Sequence, residues 1–223
     1  MGEVYTGVPK DFVRILRHHF HIDYFVETGT YHGDTAYWAS QLFSQVYTVE
    51  AAEALHRAAR DKYPGVPNLH FLLGESGAAL KELLPGLPGP ALFWLDAHWS
   101  RGVTYGEGQE CPVLAEVEAI NASGVEHFIL IDDANLFLKP PPEPHDPQQW
   151  PDLVTLLGPL AAGGRFVAVL DDVLLAVPQA ARAEVIHILR RQPEYLQRYG
   201  VPVRKSLRRF AAKTLTKMAK QMR

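Results

Sequence analysis

Apolar residues recur along this chain in short runs separated by longer stretches of mixed character. Tyr24-Phe25-Val26 is the first run, and it leads into Glu27-Thr28-Gly29. Val46 to Val49, Leu69 to Leu73, Ala91 to Leu95 and Phe128 to Ile131 follow, each of strand length and rich in β-branched or aromatic residues. Between them the pattern predicts helices over Thr35 to Phe43, Ala52 to Lys62, Ser76 to Leu84 and Pro112 to Ala122. Asp34 or Thr35 is the expected N-cap of the first of these, and Pro112 stands where a missing N–H costs nothing. A further helix is expected over Asp152 to Ala162. Arg165 to Leu170 and Val173 to Val177 then read as a hairpin turning at Asp171-Asp172.

Five apolar strands alternating with helices predict an α/β fold: a Rossmann-like doubly wound sheet, mostly parallel, with a C-terminal antiparallel hairpin strand. Residues 24–178 form the expected domain, residues 1–23 an N-terminal helical extension, and residues 179–223 a basic helical tail. Ligands of such sheets sit beyond the carboxyl ends of the strands. The unusual polar residues fall there: Glu27 to Gly33, Glu50, Glu75, Asp96 to His98 and Asp132-Asp133. Two long loops follow strands on that side. Trp99 to Glu110 has three glycines, and Lys139 to Trp150 carries Pro140, Pro141, Pro142, Pro144 and Pro147. Loops of this length in compact domains are often lids.

Charge changes the picture at the C-terminus. The net charge of −3 hides 12 Lys and Arg against 2 acidic residues from Gln179 onward, and 10 against 23 before it. Leu207, Phe210, Ala211, Leu215, Met218 and Met222 share one face of an amphipathic stretch from Arg204 to Arg223, with basic residues opposite. Such a face suits an anionic membrane, RNA or the acidic body of a second copy in a homodimer. Hydrophobic residues at 47% and charged ones at 21% are ordinary for a globular protein. A single cysteine, Cys111, rules out an internal disulfide and fits a reducing compartment. Met1 to Lys10 has no apolar run, so no secretory leader is expected, and the expected location is cytoplasmic with a peripheral membrane contact through the tail. Met1 to Thr6 fits the loose N-myristoylation pattern, a match that arises readily by chance.

Glu27-Thr28-Gly29-Thr30-Tyr31-His32-Gly33 joins the first strand to the first helix of the alternation. Gly29 permits a sharp turn and Gly33 a close helix–strand approach. Tyr31 occupies the place where a dinucleotide-binding loop has its middle glycine, which counts against pyrophosphate and a nucleotide-dependent oxidoreductase. Glu50 ends the second strand, where an acid can accept both ribose hydroxyls of a nucleoside. On these residues the chain resembles the class I S-adenosylmethionine (SAM)-dependent methyltransferases. Glu27-x-Gly29-x-x-x-Gly33 matches their first motif, Glu50 their ribose-binding acid, and Gly74-Glu75-Ser76 is a variant of the turn near the adenine. The resemblance covers roughly Phe25 to Pro178 in element order. It implies SAM as cofactor, with Glu27, Thr28, Gly29, Thr30, Gly33, Glu50, Gly74, Glu75, Ser76 and Asp96 around it.

Asp96 ends the fourth strand and Asp132-Asp133 the fifth. Three carboxylates converging on one crevice repel one another unless a cation sits between them. Oxygen ligands suit Mg²⁺ or another divalent cation. The arrangement looks like that of the metal-dependent O-methyltransferases of the catechol, caffeoyl-CoA and macrocin types, which implies Asp96, Asp132 and Asp133 as metal ligands and a small-molecule methyl acceptor. The catechol and caffeoyl-CoA types carry a lysine base three residues after the first metal Asp, and Trp99 stands there in this chain. His98 is the nearest titratable candidate, as base, as fourth metal ligand or as structural hydrogen-bonder, so the candidate catalytic residues are His98 and Asp96. Trp94, Trp99, Tyr105 and Trp150 can stack on an aromatic or sugar acceptor, although packing is the more frequent use of such residues. His18, His19 and His21 read as helix-end or surface histidines. Cys111 reads as a passive thiol, although a helix start can lower a thiol pKa. The leading expectation is Mg²⁺-dependent O-methylation of a small hydroxylated metabolite or sugar. The alternatives are an RNA methyltransferase using the tail and a non-catalytic methyltransferase-like binding module. No Asn-Pro-Pro-Tyr-type motif follows the fourth strand, which counts against amino methylation of bases.

Overall fold

The computed structural model describes residues 7–99 and 110–191, together with residues 194, 195 and 198. Seven strands form one sheet in the order β3-β2-β1-β4-β5-β7-β6. They are β1 (Tyr24–Thr28), β2 (Gln45–Glu50), β3 (Leu69–Leu73), β4 (Ala91–Leu95), β5 (Phe128–Ile131), β6 (Phe166–Leu170) and β7 (Val173–Val177). The first five run parallel. β7 enters antiparallel between β5 and β6, the C-terminal hairpin expected from the sequence. No helix among the described residues is long and apolar enough to cross a membrane.

Both faces of the central strands are covered, and β4, β5 and β7 are apolar at every position for that reason. Phe25, Leu92, Trp94, Phe128, Leu130 and Leu175 point to one face, whereas Val26, Phe93, Leu95, Ile129, Ile131 and Leu174 point to the other. The first face is covered by α1 (Lys10–Phe20), α2 (Asp34–Ser40) and α8 (Arg182–Arg190). The second is covered by α4 (Ser76–Leu83), α5 (Val113–Ala122) and α7 (Leu153–Leu160). Helix α3 (Glu53–Lys62) packs beside β2 and β3, and α6 (Asn135–Leu138) is a single turn after β5. The sequence reading set α1 and the region of α8 outside the domain. The structure builds both into the core: Phe12, Val13, Ile15 and Leu16 of α1, and Val185 and Ile188 of α8, are buried with the strand residues.

Local expectations are corrected at several ends. Helix α2 is capped by Gly33 in the left-handed region (φ 73°), not by Asp34 or Thr35, because the glycine turn itself delivers the chain into the helix. It stops at Ser40, and residues 41–43 close a turn instead. Pro112 is the cap of α5, and the helix begins at Val113. Asp152 caps α7 by accepting from the Thr155 N–H at 2.7 Å. Trp94 takes the packing role, as a fully buried residue of β4. The stretch holding Tyr105, the Arg204–Arg223 tail and the Met1–Thr6 match lie outside the described residues.

Strand register sets the ligand edge. Thr28 of β1 stands opposite Val49 of β2 and Leu95 of β4, and Leu95 stands opposite Ile131 of β5. The residues that follow, Gly29, Asp96 and Asp132, therefore emerge abreast. The order reverses between β1 and β4, which places the topological switch point at Gly29 and Asp96.

At the opposite end of β4, His127 is buried and accepts a hydrogen bond from the Ala91 N–H through Nδ1 at 3.0 Å. Burial, with Arg165 nearby, pushes its pKa from 6.5 down to about 4. The unfolded chain therefore binds this proton first, so stability present above pH 6.5 is lost as the pH falls toward 4. His127→Asn keeps an acceptor but not the titration. In denaturant unfolding, the difference between wild type and variant should shrink by roughly 3 kcal/mol between neutral pH and pH 4; a constant difference contradicts this assignment.

Candidate active site

The turn after β1 is held by its own backbone. The N–H groups of Gly29 and Thr30 both donate to the Val49 carbonyl, at 2.9 and 3.2 Å. Gly29 has φ 82°, and a Cβ there would overlap the Asp96 carbonyl, so no other residue fits. Tyr31 takes a positive φ of 46° and donates its N–H to Glu50 Oε2 at 2.9 Å. Glu50 Oε1 accepts from the Ala52 N–H, also at 2.9 Å. The expected ribose acid is thus fixed by two backbone amides. Each of its oxygens keeps further acceptor capacity, as a carboxylate facing a diol requires. Gly74 joins this end of the crevice by donating its N–H to the Glu50 carbonyl.

Glu27 is buried in β1 as the end of a hydroxyl chain. Thr48 Oγ1 donates to Glu27 Oε2 at 2.6 Å and lies 2.7 Å from Thr30 Oγ1. Burial pushes the Glu27 carboxyl up to about 8, assisted by the charges of Asp96 and Glu50. Of the third-loop residues, Glu75 is exposed, whereas Ser76 is buried with its hydroxyl facing Glu116 rather than the crevice.

The carboxylates at the ends of β4 and β5 gather around an imidazole. His98 Nε2 lies 2.8 Å from Asp133 Oδ2, and Nδ1 lies 3.8 Å from Asp96 Oδ1. Asp133 sits at φ 51°, and its N–H donates to Asp132 Oδ1 at 2.9 Å. Asx residues tolerate this left-handed geometry, and here it accompanies the pairing with His98. Burial works against a charged His98, but the hydrogen bond to Asp133 and the charges of Asp96, Asp133 and Asp132 outweigh it and raise its pKa. Burial lifts Asp96 and Asp132 well above the usual carboxylate range. The hydrogen bond from His98 holds Asp133 below it.

The three carboxylates do not stand alone at this edge. An imidazole lies among them, with His98 between Asp96 and Asp133. Asp133 Oδ2 is given to the imidazole and Asp132 Oδ1 to an amide. Among the described residues, no three His, Cys, Asp or Glu side chains surround a common point. As placed, the donor set does not fit Mg²⁺, whose ligand oxygens must converge at about 2.0–2.1 Å.

Three acids at this edge were not picked out as site residues. Asp172, in the β6–β7 turn, accepts from the Asn135 N–H and Nδ2 at 2.8 and 2.7 Å, and so ties the hairpin to the end of β5. Glu110 fastens the proline-rich loop: its oxygens accept from Trp150 Nε1 at 2.7 Å, His145 Nδ1 at 3.0 Å and the Asp146 N–H at 3.0 Å. Burial would raise the Glu110 pKa, but these donors outweigh it and lower it. The Trp150 ring held in this way lies 5.5 Å from that of His98. Glu116 lies inside α5 among apolar neighbours. Its sequence signal was present: Val113, Glu116, Val117 and Ile120 follow the spacing of a core-facing stripe. Cys111 is a passive thiol, and the expected lowering by the helix start is reversed, because burial pushes it up to about 12. Trp99 is half-buried and meets the His145 ring edge-on at 5.5 Å.

No family model matches the sequence, and a search of curated proteins finds no match. Solved structures do match. An O-methyltransferase from Bacillus cereus in complex with SAH is 17% identical, over 79% of this chain and 84% of that one, with a TM-score of 0.53. An SAH-bound methyltransferase from Podospora anserina is 18% identical, over 79% and 81%, with a TM-score of 0.55. A Staphylococcus aureus protein assigned as a caffeoyl-CoA O-methyltransferase is 12% identical, over 79% and 86%, with a TM-score of 0.54. The fold is that of the class I SAM-dependent methyltransferases.

Two outcomes follow from this geometry. Gly29→Ala should abolish soluble folded protein or weaken SAM binding by at least about tenfold, since the added carbon forces β1 and β4 apart; calorimetry with circular dichroism separates the two results, and wild-type binding refutes the close-approach argument. Glu110→Ala should destabilise the protein by about 3 kcal/mol and speed proteolysis between residues 139 and 150, because it leaves the buried Trp150 N–H without its acceptor.

Proposed function

We propose that this protein is a SAM-dependent methyltransferase that transfers a methyl group to the hydroxyl of a small hydroxylated metabolite or sugar. The observation that carries the reading is His98 held between Asp96 and Asp133 at the ends of β4 and β5, beside the Gly29 turn and Glu50. The matches to an O-methyltransferase in complex with SAH and to an SAH-bound methyltransferase support it through the shared fold.

The residues at the edge divide the work. Gly29 and Thr30 shape the floor against which the cofactor lies, and Glu50 receives the ribose hydroxyls. SAM, when bound, supplies a methyl group activated by a positively charged sulfur. His98 in its neutral form takes the acceptor's hydroxyl proton as the oxygen bonds to the methyl carbon and the carbon–sulfur bond breaks. Asp133 fixes the ring and stabilises the imidazolium that results. Asp96 lies on the other nitrogen's side and shares in that charge. The loop fastened by Glu110 sets Trp150 beside His98, which limits water there.

A divalent-metal version of the reaction requires His98 to release Asp133. It is kept as a distinct expectation because Asp96, Asp132 and Asp133 leave adjacent strand ends. The basic balance from Gln179 onward supports a second reading in which the acceptor is RNA, with the tail contributing phosphate contacts and a steep salt dependence. A non-catalytic binding module predicts SAM binding without transfer to any acceptor.

Calorimetry should give micromolar SAM binding and no response to NAD⁺. Absence of SAM binding removes the reading. His98→Ala and Asp133→Asn should keep SAM affinity within about threefold while methyl transfer falls by roughly 10²–10⁴. In the wild type, transfer should decline as the pH falls and His98 takes up its proton. Transfer unchanged by EDTA is expected from the His98 mechanism; loss that Mg²⁺ restores would establish the metal version instead.

A further inference from the structure

Among the described residues the sheet ends at β6, and no strand lies beyond it. Its sequence, Phe166-Val167-Ala168-Val169-Leu170, is apolar at every position, and Val169 is 48% exposed. Edge strands ordinarily carry a lysine, a proline or a bulge that keeps other strands from pairing with them. β6 has none of these and follows β7 residue for residue. The opposite edge, β3, is interrupted by His70, whose ring is hydrogen-bonded to Gln45.

The hairpin fixes which backbone groups face outward. The Asp172 carbonyl accepts from the Ala134 N–H, on the β5 side. An antiparallel strand turns alternate residues to each neighbour, so Val173, Leu175 and Val177 serve β6. Their partners Leu170, Ala168 and Phe166 therefore face back into the sheet. The N–H and C=O groups of Val167 and Val169 point away from it, and no hydrogen bond to them is found among the described residues. Outward donors and acceptors beside exposed apolar side chains are what strand addition requires.

The sequence of β6 selects the partner. When a second β6 is laid antiparallel with Ala168 on Ala168, Val167 meets Val169 and Phe166 meets Leu170. The outward groups of Val167 then face those of Val169. A shift by one residue sets outward groups against inward ones, and a shift by two sets Arg165 or Asp171 against a valine. The strand ends are complementary in charge as well. Arg165 and Arg182, whose guanidinium lies 5.5 Å from the Phe166 ring, mark one end, and Asp171 and Asp172 mark the other. Two-fold pairing lays each basic end beside the acidic end of the second copy.

We propose that β6 is a homodimerisation edge, through which two copies of this chain join about a two-fold axis so that their seven-stranded sheets become one continuous sheet. The seam is apolar on both faces. Phe166, Ala168 and Leu170 line the face of α1, α2 and α8, and Val167 and Val169 line the other. The two copies of β6 run in opposite directions, so the two ligand edges lie at opposite ends of the seam. The dimer does not depend on the methyltransferase reading.

The test is sedimentation velocity on the full chain over a concentration series, with Val169→Lys and Ala168→Cys alongside. So narrow a seam predicts a dimer with a dissociation constant on the order of micromolar. V169K sets a charge into the seam and should sediment as a monomer while keeping the wild-type circular dichroism. Across the two-fold axis the Ala168 Cα atoms form a pair without mutual hydrogen bonds, about 4.5 Å apart and within disulfide reach. Mild oxidation should therefore link A168C into a covalent dimer and leave the wild type, with Cys111 alone, unlinked. A wild type that is monomeric throughout overturns the proposal, whether the edge stays open or is covered by residues 199–223 of its own chain. A dimer that persists in folded V169K, or in which A168C does not link, also overturns it. If V169K does not fold, oxidation of A168C decides.

Discussion

Where the strand order reverses, β1 and β4 run side by side, and the backbone at Gly29 passes against the Asp96 carbonyl more closely than any side chain permits. The rest of the ligand edge depends on that approach. It lets the N–H groups of Gly29 and Thr30 reach the Val49 carbonyl, and it turns the Tyr31 N–H onto Glu50. It also brings the Asp96–His98 segment alongside the cofactor turn. A Cβ at this point would push apart the two strands on which the site is built.

Around this contact the protein manages an excess of buried acid. Glu27, Asp96, Asp132 and Glu116 are all raised, with burial the first cause in each. Asp133, half-buried, is lowered because it holds His98. The imidazole stands between Asp96 and Asp133 and is hydrogen-bonded to Asp133. The strain at Asp133, a positive φ in a residue other than glycine, is confined to the residue that makes this pairing.

Much of this was legible in the sequence, and the misses share a cause. Strands β3, β4, β5 and β7 lie where their apolar runs predict; β4, β5 and β7 are buried on both faces and so apolar at every position. Glu50, Gly29, Asp96 and Asp132-Asp133 were legible as candidates because each lies at the end of a strand or directly after it. Glu110 and Glu116 escaped because their partners are far along the chain: Trp150 lies 40 residues from Glu110. For Trp94 both roles stayed open, because period-two alternation cannot tell a residue facing a helix layer from one facing a ligand when both faces are apolar. Helix α1 was set apart because its amphipathic pattern shows a buried stripe without showing against what.

The sequence by itself determined the alternation of strands and helices, the doubly wound class, the turn that requires glycine and the acids at the strand ends. These follow from short-range rules: side-chain period, backbone sterics and the direction of a parallel strand. Only the tertiary structure decided which of those acids pair, that His98 stands among them, and that Glu116 lies buried inside α5. Charge pairing and burial depend on distances between residues remote in sequence, and those distances exist only once the sheet has set its register.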